Sequence, residues 1–198
     1  FPATVPIGMF VCSRATNALN TTVFDNVNVT ALWPALPTVP QYLVAVAGDA
    51  RAALNWAAAT NAAGYNVKRA TTAGGPYVMV ATNISSLLFT NTDLANGALY
   101  YYVVSGTNDF GESADSTAVS VRPVSSVPPR LGVSLVASQM QFNWPTSHVG
   151  WTLQVQTNSL NLGLGTNWSR LSDSSATNQF SLPVAMTNGS VFYRLVYP

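Results

Sequence analysis

Apolar side chains recur at every second position along most of this chain, and the runs are cut by Asn, Gly, Pro or Asp. That is the pattern of strands and turns rather than of a helical stripe. Met140, Phe142 and Trp144 alternate with Gln139, Gln141 and Asn143. Phe180, Leu182 and Val184 repeat the scheme around Pro183, which has no N–H and so assigns its run to a sheet edge. No helix is expected: the alanine-rich window from Asp49 to Ala63 is interrupted by Leu54-Asn55-Trp56 and stands inside a series of strands, where pattern outweighs propensity. The fold class is all-β.

Two proline clusters, Pro34 to Pro40 and Pro123 to Pro129, divide the chain, and such segments favour extended, semi-rigid conformations. The expected organisation is an N-terminal β-hairpin arm over 1–30, a proline-rich linker over 31–40, a β-sandwich over 41–123, a second linker over 124–130 and a smaller Ig-like β-sandwich over 131–198. The architecture is thus tandem β-sandwiches preceded by a strand-bearing arm. In the middle part, strand candidates stand at Leu43 to Val46, Leu54 to Trp56, Tyr65 to Arg69, Tyr77 to Val80, Leu87 to Thr90, Tyr100 to Ser105 and Ala118 to Val121. This is the spacing of a seven-stranded sandwich. Trp56, Tyr65-Asn66-Val67, the Gly74-Gly75-Pro76-Tyr77 turn, Leu94-Ala95-Asn96-Gly97 leading to Tyr100, and Asn108 to Ser113 as a last hairpin carry a closer likeness. On these residues the part resembles a fibronectin type III domain. The resemblance implies a tyrosine corner in which Tyr100 donates its hydroxyl to nearby backbone while its ring packs. No Arg-Gly-Asp stands in the last hairpin, so integrin-type adhesion has no support.

The last part offers six strands, Val133 to Ala137, Gln139 to Trp144, Trp151 to Thr157, Asn167 to Leu171, Gln179 to Val184 and Val191 to Tyr197. Its segments Phe142-Asn143-Trp144-Pro145, Gly150 to Asn158 and Asn188 to Arg194 resemble a C-terminal β-sandwich tail domain of large secreted multidomain bacterial proteins, which implies a placement rather than an activity. In the arm, Ile7-Gly8-Met9-Phe10-Val11 and Thr22 to Val29 resemble the final two strands of a laminin-G or concanavalin-like jelly roll whose other strands are absent. A hairpin without an opposing layer is marginal in water. Val5, Ile7, Met9 and Val11, with Val23, Val27 and Val29, therefore need a partner surface. An apolar strand beside a six-stranded sandwich with an open edge leads to strand addition, and a head-to-tail contact that does not close makes a filament. Two other arrangements stay open: the arm folds back on its own chain, or the chain is a fragment of a larger protein. The opening Phe1-Pro2-Ala3-Thr4, without an initiator Met, fits a processed product or an excised piece.

Composition narrows the function classes. Charged residues make up 8% of the 198, against roughly 25% in ordinary soluble domains. Lys68 is the single lysine and the formal net charge is +1, so there is no basic stripe for nucleic acid. Prolines interrupt the most apolar stretch, Ala31 to Ala47, which excludes a membrane-spanning segment there. His148, Cys12 and Glu112 are each the only residue of their kind, and the aspartates are dispersed among turn-forming neighbours. Catalysis, a cofactor and a metal site are therefore not expected. Cys12 reads as a buried thiol and His148 as a solvated turn residue.

Trp56, Trp144 and Trp151 read as core, whereas Trp33 and Trp168 are the candidates for a carbohydrate platform, with linker or edge packing as their plainer use. Asn-x-Ser/Thr sequences at Asn20, Asn28, Asn83, Asn167 and Asn188 point to exposed backbone. Abundant Asn, Ser and Thr fit a secreted or cell-surface protein. The main reading is a non-catalytic extracellular structural protein, a subunit or stalk of a self-associating filament. The alternative is an accessory carbohydrate-binding or spacer region of a secreted polysaccharide-degrading enzyme.

Overall fold

The computed structural model describes residues 35–159, 161–184 and 189–198. The arm, with Val5, Ile7, Met9, Val11, Val23, Val27 and Val29, lies outside the described residues, as do Cys12 and Trp33. What is described is all-β, as the alternating pattern requires. The helical pieces among the described residues are two single 3₁₀ turns, Thr146–His148 and Ser174–Ala176.

The first sandwich is built from β1 (Val44–Gly48), β2 (Arg51–Asn55), β3 (Gly64–Ala70), β4 (Val78–Ile84), β5 (Leu88–Asn91), β6 (Tyr100–Asn108), β7 (Gly111–Glu112) and β8 (Val119–Val121). One sheet has the order β1-β2-β5; the other runs β4-β3-β6-β7, with β8 also pairing with β6. Within the alanine-rich window, Arg51–Asn55 form a strand because Ala52 and Leu54 alternate with exposed Arg51, Ala53 and Asn55, which puts one face on the core. Leu54, Val67, Tyr102 and Val104 meet there, and Trp56 packs edge-on against Tyr65 at 5.5 Å. Full burial of such aliphatic side chains contributes about 1.5–3 kcal/mol each.

Between β7 and β8 the ladder continues through side chains. The Val104 N–H donates to Ser116 Oγ (3.0 Å) and the Gly106 N–H to Ser113 Oγ (2.9 Å), so two hydroxyl oxygens replace carbonyls. Lys68 on β3 ties the same edge down, its Nζ lying 2.7 Å from Glu112 and 2.6 Å from Asp115. Partial burial works against the ammonium charge, but its hydrogen bonds to Asp115 and Glu112 outweigh that and hold its pKa above the ordinary lysine value.

The second sandwich comprises β9 (Gly132–Val136), β10 (Gln139–Asn143), β11 (Thr152–Asn158), β12 (Ser169–Arg170), β13 (Gln179–Pro183) and β14 (Ser190–Val196). Its sheets have the orders β13-β10-β9 and β12-β11-β14. Phe142, Trp144 and Leu153 form its core, with Met140, Leu182, Tyr193 and Leu195 packed around them. The strand carrying Pro183 lies at the sheet edge, where a missing N–H breaks no ladder. In the pairing of β9 with β10, Val133 stands opposite Phe142 and Leu135 opposite Met140. Both β9 residues therefore belong to the apolar face, yet they are 56% and 68% exposed. The apolar row extends beyond its cover.

Candidate functional site

The segments read as linkers are packed against the sandwiches. Pro37 and Pro40 are buried, and Thr38 exchanges hydrogen bonds with Thr60, its N–H donating to the Thr60 carbonyl at 3.0 Å and its Oγ1 accepting from the Thr60 N–H at 2.9 Å. The segment after Pro123 is held by hydrogen bonds to both sandwiches.

This junction begins with the two-residue turn Asp49-Ala50 between β1 and β2. The Ala50 N–H donates to Asn96 Oδ1 (2.8 Å), and Asn96 Nδ2 donates to Asp49 Oδ1 (2.6 Å). The other carboxylate oxygen accepts from the Ser126 N–H (3.0 Å) and hydroxyl (2.5 Å). Hydrogen bonds to an ionised carboxylate favour the charged form. The Ser126 hydroxyl and N–H, then the Asn96 amide, lower the Asp49 pKa from 3.8 to about 2. Val124 adds a backbone bond to the Gly48 carbonyl (3.2 Å), and the Gly97 N–H donates to the Pro123 carbonyl (2.7 Å).

The second sandwich grips the same segment from the other side. Ser125 donates its N–H to the Ser147 carbonyl (3.0 Å) and accepts from Trp151 Nε1 at its own carbonyl (2.9 Å). His148, read from the sequence as a solvated turn residue, is only 6% exposed. Its Nε2 lies 2.7 Å from the Val127 carbonyl and its Nδ1 2.9 Å from Ser147 Oγ. A carbonyl can only accept, so Nε2 donates to it, while the Ser147 hydroxyl, which can donate or accept, satisfies Nδ1. The imidazole is a structural clasp.

Close approach fixes the junction's small residues. Gly97 has φ +83°, and a Cβ there would stand 2.3 Å from the Thr146 carbonyl oxygen of the second sandwich. Gly150 has φ +119°, and a Cβ would meet Val124 at 2.9 Å. A larger residue at Gly97 forces the Thr146 backbone away, and one at Gly150 displaces the Val124 side chain of the connecting segment.

Trp56, Trp144 and Trp151 are buried, as their alternation indicates. Trp168 is half-buried and has the Arg194 guanidinium 4.2 Å from its ring centroid, the guanidinium in turn donating through Nε to Gln154 Oε1 at 2.9 Å. One ring face is thus occupied by packing within the chain. A different aromatic is presented to solvent. Tyr42 is 85% exposed and has φ 56°, a left-handed conformation that costs a side-chain-bearing residue about 1–2 kcal/mol. Sequence reading passed over it: a tyrosine between Gln41 and Leu43 carries no signal of positive φ. The Asp49 cluster was equally hidden, since its partner Ser126 is 77 positions away.

The tyrosine corner is present with its polarity reversed from expectation: Tyr100 OH accepts from the Ala95 N–H at 3.0 Å, six residues after Leu94 in a buried corner. Two sheets of this order around Trp56 and Tyr65, closed by that corner, define a fibronectin type III-like sandwich. No protein-family profile matches the chain. An Fn3-like protein from Clostridium thermocellum is 43% identical, covering 46% of this chain and 93% of that one, with a TM-score of 0.41. An amylopullulanase from Thermoanaerobacterium saccharolyticum is 33% identical over 92 residues, which is 44% of this chain and 7% of the enzyme. One from Thermoanaerobacter thermohydrosulfuricus is 37% identical over 90 residues, 43% of this chain and 6% of the enzyme. The chain therefore spans less than a tenth of the length of these relatives.

No helix among the described residues is long and apolar enough to cross a membrane.

Proposed function

We propose that this chain is a non-catalytic accessory region of a secreted polysaccharide-degrading protein, in which two sandwiches on a fixed junction space and orient their neighbours on the substrate. The carrying observation is the junction itself: Asp49, Asn96, Ser125, Ser126, His148 and Trp151 hold the connecting segment from both sides, where a hinge would leave it free. The likeness to two amylopullulanases supports the polysaccharide setting. Retention of the full chain on insoluble polysaccharide tests the reading, with Trp33→Ala and Trp168→Ala as companion variants. Retention that either substitution reduces supports a binding role for that tryptophan, and a chain that binds no polysaccharide and shows a mobile junction in solution scattering overturns the reading.

A second reading, a structural subunit assembled by strand addition, has one described feature in its favour. Edge strand β9 presents Val133 and Leu135 to solvent without a charge to guard it. If that edge is an acceptor, the chain sediments as an oligomer and Leu135→Lys returns it to a monomer. A monomeric parent chain refutes this role.

A further inference from the structure

We infer that Tyr42 and the shallow groove beside it form a sugar-binding site on the first sandwich, taking one unit of a neutral polysaccharide; the inference rests on the polysaccharide setting proposed above. The backbone at this point is pinned from both sides. Pro40 is fully buried, the Gln41 carbonyl accepts from the Ala57 N–H at 2.9 Å, and Leu43 is part of the core. Between these anchors the chain enters the left-handed region at Tyr42 and sends the ring outward, 85% exposed. Strain held in place by surrounding structure, without a packing contact to reward it, is a mark of functional positions. Glycine would occupy this conformation freely.

The surroundings state the ligand chemistry. The groove has a volume of about 120 Å³, and Leu43 and Val119 give it an apolar floor beside the ring. Gln41 and Thr117, both exposed, also line it; the Gln41 Nε2 donates to the Val39 carbonyl at 3.1 Å, which leaves its amide oxygen and the Thr117 hydroxyl for a ligand. No charged side chain lines it, which disfavours an ionic ligand. A phenol ring offers a flat apolar face with a wet polar end, the combination that receives the C–H face of a pyranose while its hydroxyls meet amide and hydroxyl partners. The volume is well below the roughly 300–1,000 Å³ of pockets that enclose a whole small molecule. An exposed unit of a polymer fits such a surface better than a free ligand.

Affinity electrophoresis of the full chain through gels containing soluble pullulan or amylopectin tests the inference, with thermal melting run in parallel. The expected result is retardation of the parent chain and of Tyr42→Phe, and at least tenfold weaker retardation of Tyr42→Gly with an undiminished melting temperature. Retardation of Tyr42→Gly equal to the parent's overturns the Tyr42 site and leaves the polysaccharide setting standing. A parent chain that neither polysaccharide retards overturns the setting and the site together.

Discussion

At the residue scale, the informative positions are those where the chain accepts a local cost. Replacing Tyr42 by Gly removes about 1–2 kcal/mol of left-handed strain and adds about 0.5–1 kcal/mol of backbone entropy to be lost on folding, so the stability of the first sandwich holds or rises slightly. Thermal denaturation checks this: a fall of several degrees would mean that the ring is packed in solution. Tyr100→Phe works in the opposite sense. It deprives the Ala95 N–H of its acceptor at a part-buried corner and is expected to cost about 0.5–1.5 kcal/mol in urea unfolding, the net worth of one hydrogen bond whose donor water can reach. Gly97→Ala acts on neither core. Its methyl would lie 2.3 Å from the Thr146 carbonyl. The expected outcome is that each sandwich keeps its own protected amides in hydrogen exchange while those of Ser125 and Ser126 lose protection.

At the scale of elements, the turn between β1 and β2 is a pH-sensitive fastener. Asp49 has a folded pKa of about 2 against an ordinary 3.8, a depressed value, so its contribution is complete above about pH 4 and is lost as pH falls through 2. NMR titration of the Asp49 carboxyl is expected to show this midpoint. In Ser126→Ala the midpoint moves back up toward the ordinary value, because the Ser126 hydroxyl is the largest cause of the depression. The strands themselves were largely legible. Alternation at Ala52/Leu54, Met140/Phe142 and Phe180/Leu182 marks which side faces a core, and that information is local. Pro183 announced its edge for the same reason. The junction was not legible. Asp49 to Ser126 and His148 to Val127 join positions whose proximity depends on how two finished bodies meet, and a lone histidine in a Ser-His-Val-Gly turn looks like any solvated loop residue. Tyr42 escaped because positive φ at a non-glycine residue is set by the anchors on either side of it, Pro40 and Leu43, rather than by its own type.

For the whole molecule, the junction and the scarcity of charge act together. Two sandwiches joined by hydrogen bonds to Asp49, Ser125 and Val127 transmit orientation from one end of the described region to the other, which a flexible serine-rich linker would not do. Low charge leaves edges such as β9, with its exposed Val133 and Leu135, without the charged residues that usually guard them. The solitary lysine has a practical outcome. An endopeptidase that cuts only after lysine has one bond to attack in 198 residues, Lys68-Arg69, and that bond sits in β3 between two paired strands. Scission there requires the first sandwich to open, so at low protease concentration the digestion rate reads out the opening equilibrium of that body directly. The chain thus holds a built-in stability gauge in which a single band on a gel reports how often the ladders on either side of Lys68 come apart.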